Sequence, residues 1–376
     1  MDPVVIVGAG PVGLMVAREL ARLGVPHVVL EALARPSELP KANGIVGRAV
    51  PLLRPLFPGA RPAPRFMYGG FALDLRRLRD NPVWVLPVPQ RRLEEVLAVG
   101  VPVRRGHTVG GLVADPAGIE VSVEGPSGAY TLRGSYVVGC DGAHSFVRKA
   151  AGISFDGSSD DGVVTRSAHV VLPRRALTRV RGLLRAPGVP YRPYLFHRTA
   201  GGVFSFARFG GGPHLVTTLE WGAGHDETAP MTVGELRESL ARVLGSPVLL
   251  GSPPASGGPY VLRRATSRQN RIASSYRAGR VLLAGDAAHV VAGFGGPALN
   301  LGLFDAVELA GRLARDDVSG YDEARRPFAQ RVLASAREQA ELLAPGPSTD
   351  ALRVRFAAYL RTPEGLRRVA DTIGGG

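Results

Sequence analysis

The first thirty residues constrain the fold of this chain more than any other stretch. Val4 to Val7 are four consecutive β-branched residues, which predict a strand that is buried on both faces. Gly8, Gly10 and Gly13 follow at the G-x-G-x-x-G spacing and lead into a stretch with apolar residues at helical spacing. A second apolar strand then ends at Glu31. The sequence therefore predicts an α/β fold that opens with a β-α-β unit.

Each glycine of this unit has its own physical function. Gly8 permits a tight turn, Gly10 lets a pyrophosphate approach the backbone, and Gly13 lets the helix pack closely on the strand. Glu31 can bind a ribose diol and would repel a 2′-phosphate, which favours FAD or NAD. Arg48 is either a cation directed toward the phosphates or a solvated surface arginine. The alternative for the whole loop is a glycine turn that only reverses the chain.

The charge balance is strongly basic, with a formal net charge of +14 at pH 7. Only Lys41 and Lys149 are lysines, and the arginines are scattered rather than clustered, so we expect no nucleic-acid partner. Cys140 is the only cysteine, which excludes an intrachain disulfide and a cysteine-rich metal site. No metal is expected. A reducing cytoplasm fits this composition, and neither a signal peptide nor a membrane span is expected.

A second informative segment spans residues 136–153. An apolar strand ends next to Asp141 and Gly142, and a helix follows. Ligands of open α/β sheets bind at the carboxyl ends of the strands, so both residues are candidates for the cofactor site. The alternative for Asp141 is a helix N-cap.

A third segment repeats the pattern of strand, glycine loop and helix. Gly285 and Asp286 follow a buried strand, and a glycine loop, residues 293–296, precedes a helix expected over residues 300–313. Asp286 can accept a hydrogen bond from a ribityl or ribose hydroxyl, and the helix amides can stabilise negative charge on a bound ring. His289 is a candidate base, but the sequence indicates no carboxylate to orient it. We therefore favour a structural or cofactor-shell role for this histidine.

The middle of the chain, residues 153–262, predicts antiparallel strands joined by glycine turns. Phe204 and Phe206 share one face of a strand and, with Tyr194 and Trp221, could line a site for a planar ligand. The alternative is that these aromatic residues belong to the core.

The three segments, in this order, resemble the class A flavoprotein monooxygenases. They read GAGPVG with Glu31, then GCDG, then RVLLAGDAAH with GGPALN, and the resemblance extends over about residues 3–343. This family includes the aromatic hydroxylases similar to para-hydroxybenzoate hydroxylase and the polyketide-tailoring oxygenases of actinobacteria. The resemblance implies a Rossmann-like FAD-binding domain interrupted by an antiparallel-sheet substrate domain, with C-terminal helices. The implied division gives residues 1–70, 88–152 and 271–343 to the FAD domain, 71–87 and 153–270 to the substrate domain, and 344–376 to a helical tail.

The same resemblance assigns the cofactor-binding residues. They are Gly8, Gly10, Gly13, Glu31, Arg48, Gln90, Asp141, Gly142, Gly285, Asp286, Ala298, Leu299 and Asn300. The resemblance identifies no side chain that transfers a proton. The only catalytic surface that it implies is a loop facing the flavin, formed by Gly293, Gly295, Gly296, Pro297 and Ala298. Pro297 lacks an amide hydrogen and Ala298 disfavours positive φ, so we expect a reshaped loop.

The activity implied by the family is a monooxygenation. NADPH or NADH reduces FAD, dioxygen forms a flavin C4a-hydroperoxide, and one oxygen atom passes to a phenolic or polycyclic aromatic small molecule, polyketide-like, in secondary metabolism. Two other hypotheses remain at this stage. One is a flavin dehydrogenase or oxidase on the same fold, and the other is a redox-silent cyclase or binding protein. A monomer or a homodimer is expected.

Overall fold

The computed structural model describes residues 2–39, 41–160, 162–179, 182–185, 190–209, 212–222, 224, 229–251, 253–254, 258, 260–266, 268–292 and 297–374. Its helices are α1 Pro11–Arg22, α2 Ala49–Leu53, α3 Gln90–Leu97, α4 Phe146–Ala150, α5 Val233–Leu244, α6 Pro297–Leu313, α7 Tyr321–Leu343, α8 Pro347–Arg361 and α9 Pro363–Gly374. Its strands are β1 Val4–Val7, β2 His27–Glu31, β3 Ile45–Val46, β4 Arg65–Tyr68, β5 Phe71–Asp74, β6 Val85–Leu86, β7 Val103–Arg105, β8 Thr108–Asp115, β9 Gly118–Gly125, β10 Gly128–Gly134, β11 Val137–Gly139, β12 Phe155–Asp160, β13 Val163–Val170, β14 Phe196–Thr199, β15 Gly202–Arg208, β16 His214–Trp221, β17 Leu262–Ala265, β18 Arg268–Ala273, β19 Arg277–Ala278, β20 Val281–Leu283 and β21 His289–Val290.

A six-stranded, mostly parallel sheet forms the centre of the nucleotide-binding part. Its strand order is β19-β20-β11-β1-β2-β7, and only the β19–β20 pair is antiparallel. The strands β1, β11 and β20 are buried along their whole length, as expected for parallel strands covered on both faces. The predicted α/β fold with a β-α-β opening is confirmed.

An antiparallel sheet of five strands forms the second part, in the order β14-β15-β16-β13-β17. One face of this sheet packs its apolar side chains, such as Ala168, Phe204 and Phe206, under α5. On the opposite face Val203 and Leu219 contact Leu343 at the end of α7. The strands alternate between the two faces with period two, so the sheet separates a dry core from a surface that faces the first part.

Several small elements connect the two parts. The β4–β5 hairpin turns at residue 70, where the first part of the expected FAD domain ends. β18 pairs with both β12 and β21 at residue 271, where that domain is expected to resume. The C-terminal helices α8 and α9 pack on the same hairpin, where Phe356 stacks on Tyr68 at a ring distance of 5.8 Å. Within the described ranges, every helix is too short or too polar to cross a membrane.

Candidate cofactor site

A long cleft of about 860 Å³ lies along the carboxyl ends of the central parallel strands. The candidate residues that line it are Gly8, Gly10, Glu31, Gln90, Asp141, Gly142, Asp286, Ala298 and Leu299. The structure thus brings together residues from all three segments that the sequence singled out. The volume falls within the range of ligand pockets, roughly 300–1,000 Å³.

The three glycines of the first loop meet different surroundings. Gly8 has a φ of +104°, and a methyl group there would lie 2.4 Å from the carbonyl oxygen of Cys140. A methyl group at Gly13 would lie 2.0 Å from the carbonyl oxygen of Gly8. At Gly10, in contrast, no heavy atom lies within 4 Å of such a group. Gly8 and Gly13 are therefore required by the fold itself, while Gly10 leaves open space before α1 that a pyrophosphate fits.

Glu31 holds the glycine loop through its carboxylate. Oε2 accepts a hydrogen bond from the amide of Ala9 at 2.7 Å, and Oε1 accepts one from the amide of Leu33 at 2.8 Å. A carboxylate oxygen has two lone pairs, so each oxygen keeps one for another donor. The same side chain that fixes the loop can therefore bind a ribose diol in the cleft.

Asp141 supports the start of α4 without being its N-cap residue. The N-cap is Ser145, whose hydroxyl accepts a hydrogen bond from the amide of Arg148 at 2.9 Å. Asp141 accepts hydrogen bonds from the Ser145 hydroxyl at 2.6 Å and from the amide of Val147 at 3.1 Å. The N-cap alternative for Asp141 is thus wrong in its position, because the N-cap residue lies four residues later and the carboxylate of Asp141 reaches the helix from outside.

Arg148 is a buried residue that supports the cleft from behind and that the sequence analysis missed. Its guanidinium is buried and donates hydrogen bonds to the carbonyl oxygens of Ala287 at 2.9 Å and Ala143 at 3.0 Å. It also stacks over the ring of Phe155 at 3.8 Å. Because Ala143 follows Gly142 and Ala287 follows Asp286, one side chain connects the second and third segments of the cleft. In the sequence it is one of two adjacent basic residues of a short helix, and nothing there distinguishes it from Lys149.

Asp286 lies on a short 3₁₀ turn that follows β20. The turn starts at Gly285, which has a φ of +63° and packs against Val12 in the first turn of α1. Gly302 of α6 contacts the same side chain, since a methyl group there would lie 2.6 Å from it. Protein atoms around Asp286 desolvate its carboxyl and raise its pKa, while the charges of His289 and Lys41 oppose this shift.

His289 has the orienting carboxylate that the sequence did not indicate. Asp305, eight residues into α6 from Pro297, lies beside it in the core, with both side chains buried. The expectation that no carboxylate orients His289 is therefore wrong. Neither side chain lines the cleft, which agrees with a structural role rather than that of a base.

The helix α6 begins at Pro297, three residues earlier than expected, and this early start accommodates both Pro297 and Ala298. Proline is favourable at the first position of a helix, where its missing amide would have no intrahelical acceptor. Ala298 therefore lies in the helix and needs no positive φ. The other predicted loop residues, Gly293, Gly295 and Gly296, lie outside the described residues. Just before them, Asn270 accepts a hydrogen bond from the amide of Ala292 at 3.0 Å.

Four cofactor-binding candidates do not line the main cleft: Gly13, Arg48, Gly285 and Asn300. Arg48 and Asn300 line a separate cavity of about 180 Å³ behind the first turn of α6. The side-chain oxygen of Asn300 accepts a hydrogen bond from the amide of Val46 at 3.0 Å. Their assignment to FAD binding stays a prediction.

The aromatic residues of the second part do not form a ligand site. Phe204 and Phe206 are fully buried under α5, whereas Trp221 belongs to the opposite face of the sheet and Tyr194 is 54% exposed. Of the two alternatives, packing in the core is therefore confirmed for Phe204 and Phe206. The physical reason is that strand alternation groups side chains by face without indicating which face a helix covers.

The opposite face of the sheet borders a cavity of about 460 Å³. Thr165, Thr217 and Leu219 line it from the sheet, and residues 290–292 line it from the strand before the glycine loop. His144, within the second segment, lines both this cavity and the cofactor cleft, so the two spaces border the same residue.

Comparison with known proteins gives consistent results. A family model described as "FAD binding domain" matches residues 1–336. The 12-dehydrotetracycline 5-monooxygenase/anhydrotetracycline 6-monooxygenase of Streptomyces rimosus is 38% identical, over 98% of this chain and 75% of that protein. Among solved structures, OxyS anhydrotetracycline hydroxylase from Streptomyces rimosus has a TM-score of 0.82 at 34% identity, covering 99% of this chain and 75% of its own. The Diels-Alderase PyrE3 of pyrroindomycin biosynthesis has a TM-score of 0.85 at 29% identity, covering 100% and 80%.

Proposed function

We propose that this chain, which belongs to the class A FAD-dependent aromatic monooxygenases, hydroxylates a phenolic or polycyclic aromatic, polyketide-like compound with NADPH or NADH as reductant. The observation that carries the proposal is the position of His144, which lines both the cofactor cleft and the cavity beside the antiparallel sheet. A substrate in that cavity would lie next to the cofactor. The anhydrotetracycline-oxygenating relative supports a polycyclic substrate.

The residues of the cleft fit FAD. Gly10 and the start of α1 would receive the pyrophosphate, Glu31 the ribose, and Asp286 the ribityl chain. Gln90 lies in the cleft wall and donates a hydrogen bond to Glu94 at 2.7 Å, which positions its amide at the entrance. When bound, the flavin supplies the redox and oxygen-transfer chemistry.

The chain itself supplies orientation and exclusion of water. Ala298 and Leu299, in the first turn of α6, line the cleft, and amides of a first turn have no acceptor within the helix. They would stabilise negative charge on the bound ring. On the substrate side the hydroxyls of Ser167 and Thr217 form a pair at 2.9 Å, and Thr217 faces the cavity. These hydroxyls would bind phenolic or keto oxygens of the substrate.

The test is a reduction and turnover experiment with purified protein. We expect bound FAD in the absorbance spectrum, anaerobic bleaching by NADPH or NADH that polycyclic phenols accelerate, and a product heavier by one oxygen atom after aeration. If NADPH or NADH is oxidised but every polycyclic phenol tested yields only hydrogen peroxide, the proposal is contradicted. That result would favour the flavin dehydrogenase or oxidase.

The similarity to PyrE3 favours one second candidate, a ring-forming cyclase that needs no redox step. Such a protein would convert a polyene substrate to a cyclic isomer of unchanged mass. The mass of the product therefore separates the two candidates, since oxygenation adds one oxygen atom and cyclisation adds nothing.

The division of the chain into domains is also part of the proposal. We propose that residues 1–70, 88–152 and 271–343 form the FAD-binding domain. Residues 71–87 and 153–270 would form the substrate domain, and residues 344–376 a C-terminal helical tail. The β4–β5 hairpin across residue 70 would then act as a connector between the domains. A cytoplasmic monomer or homodimer fits this proposal.

A further inference from the structure

The cavity of about 180 Å³ behind α6 combines an apolar wall with two arginines and has no role in the reaction described so far. We call it the α6–α7 cavity. Its apolar lining includes Phe66 of β4, Leu301 and Phe304 of α6, Phe328 and Val332 of α7, and Ile373 of α9. Arg325 of α7 and the exposed Arg48 also line it, and none of the described residues in its wall carries a carboxylate. The lining therefore suits an amphipathic anion.

Arg325 supplies a buried donor to this cavity. It lines the cavity, although only 8% of the residue is exposed. Nε donates a hydrogen bond to Asp305 at 2.9 Å, and Nη2 donates one to the carbonyl oxygen of Leu301 at 3.3 Å. Among the described residues, Nη1 has no hydrogen-bond partner. A guanidinium presents five N–H groups in a fixed fork, so the two on Nη1 are left for a ligand in the cavity.

The two arginines belong to the same end of the cavity. Arg325 is bonded to Leu301, and Asn300, the residue before Leu301, accepts a hydrogen bond from the amide of Val46 at 3.0 Å. Arg48 follows Val46 by two residues, so both arginines are tied to the start of α6. A carboxylate bound there would accept charge-assisted hydrogen bonds, which are roughly twice as strong as those between neutral groups.

The shape of the cavity favours a hydrocarbon chain over a ring system. Its lining residues on α7 extend along one face of the helix from Arg325 to Gln339. This separation corresponds to about 21 Å along the axis of an α-helix. A volume of about 180 Å³ spread over such a length makes a narrow channel. Sites for drug-sized molecules have volumes of roughly 300–1,000 Å³, so a polycyclic substrate or a dinucleotide does not fit.

We propose that the α6–α7 cavity binds an unbranched aliphatic carboxylate. The carboxylate lies between Arg48 and Arg325 and accepts hydrogen bonds from Nη1 of Arg325. The hydrocarbon chain follows α7 and contacts Phe328 and Val332. This inference goes beyond the oxygenase function, because the ligand neither occupies the cofactor cleft nor takes part in the reaction.

Calorimetric titration of the purified protein tests the proposal, with FAD at saturating concentration so that the cofactor cleft is filled. The probes are octanoate and 1-octanol, which share the hydrocarbon chain and differ in charge. We expect one octanoate per chain, with an affinity at least about ten-fold above that for 1-octanol, because the carboxylate gains hydrogen bonds to charged donors. No saturable binding of octanoate, or equal affinity for the two probes, would overturn the proposal.

Two pairs of variants locate the bound octanoate. Val332→Phe fills the channel, whereas Val354→Phe places the same ring on the exposed face of α8. Arg48→Gln removes a cation from the cavity, whereas Arg54→Gln removes an exposed arginine that does not line it. We expect Val332→Phe to abolish octanoate binding and Arg48→Gln to weaken it about ten-fold, while both controls match the wild type. Wild-type affinity in Val332→Phe or in Arg48→Gln would refute the site.

A crystal structure of the octanoate complex tests the contact with Arg325 directly. We expect a carboxylate oxygen at about 2.7–2.9 Å from Nη1 and the hydrocarbon chain between α6 and α7. If Val332→Phe does not fold, Ile373→Phe fills the same channel from α9 and replaces it in the titration. Octanoate bound only at another place on the protein would overturn the proposal.

Discussion

Nε2 of His289 lies 2.5 Å from Oδ2 of Asp305, and both side chains are fully buried. The same carboxylate accepts hydrogen bonds from Nε of Arg325 at 2.9 Å and from the amide of Gly285 at 3.2 Å. Four parts of the chain therefore meet at one carboxylate. Because Gly285 precedes Asp286, this cluster fixes the turn that presents Asp286 to the cleft, and it does so from outside the cleft.

Replacement of this carboxylate should weaken both the fold and the cofactor site. Burial opposes the charge of Asp305, but the charges and hydrogen bonds of His289 and Arg325 outweigh it and lower the pKa of the carboxyl. Asp305→Asn leaves Arg325 without its anionic partner, so we expect a loss of about 3 kcal/mol in the free energy of unfolding. The dissociation constant of FAD should rise. The control Glu308→Gln in the same helix removes only a partly exposed pair and should cost less than about 1 kcal/mol. FAD affinity equal to that of the wild type in Asp305→Asn would refute the positioning role.

The first loop predicts a separation of folding from cofactor binding. A methyl group at Gly10 meets no atom of the protein, whereas one at Gly13 meets the carbonyl oxygen of Gly8. Gly10→Ala should therefore leave the stability of the apoprotein within about 0.5 kcal/mol but weaken FAD binding about ten-fold or more, because the pyrophosphate approaches there. Gly13→Ala should impair folding. Thermal unfolding of the apoprotein and fluorescence titration with FAD measure the two effects, and undiminished FAD binding by Gly10→Ala would contradict the assignment.

The two faces of the antiparallel sheet predict opposite mutant behaviour. Phe204 is buried under α5, so Phe204→Ala should cost about 3–5 kcal/mol of stability. Thr217 faces the cavity beside the antiparallel sheet, so Thr217→Val should change stability little and raise the KM of the aromatic substrate three- to ten-fold, as about 0.5–1.5 kcal/mol of hydrogen bonding is lost. Steady-state kinetics of both variants measure the KM of the substrate, and urea unfolding measures their stability. An unchanged KM in Thr217→Val would place the substrate elsewhere.

An ion-pair network under α5 predicts the acid stability of the second part. Hydrogen bonds from Arg264, at 2.5 Å and 2.8 Å, and from Arg166, at 2.7 Å, lower the pKa of Glu235 from its ordinary 4.5 to about 2. A depressed carboxyl pKa gives stability that is complete above pH 4.5 and is lost as the pH falls toward 2. This contribution is about 3 kcal/mol. In Glu235→Gln the free energy of unfolding should depend less on pH between 2 and 4.5. Glu238→Gln, on the exposed side of α5, should keep the pH dependence of the wild type. Denaturant unfolding at pH 2 to 6 provides the comparison.

The sequence predicted those features that depend on local backbone geometry. The turn at Gly8, the close packing at Gly13 and the acid at the end of β2 are each encoded within a few residues. Asp141 and Asp286 could be located for the same reason, because each follows a buried strand directly.

Contacts between distant residues could not be predicted in this way. Asp305 is one polar position of a long helix, and only the packing of α6 against β21 brings it to His289. Arg148 bonds to Ala287 across 139 residues of sequence. The placement of Phe204 in the core depended on which face of the sheet α5 covers, and a period-two pattern does not contain that information.

The order of strands in the central sheet has a consequence for synthesis of the chain. Val137 of β11 pairs with Val281 of β20. The edge of β11 that faces β20 therefore has no partner until residue 281 has left the ribosome. The antiparallel sheet lies between these two strands in the sequence and can complete its own hydrogen bonds earlier. The part of the protein with the antiparallel sheet can therefore fold while the part with the parallel sheet still has an open strand edge, a state in which chains aggregate readily. Limited proteolysis of ribosome-bound chains arrested before β20 leaves the exit tunnel should accordingly release a protected core made of residues from the antiparallel sheet alone.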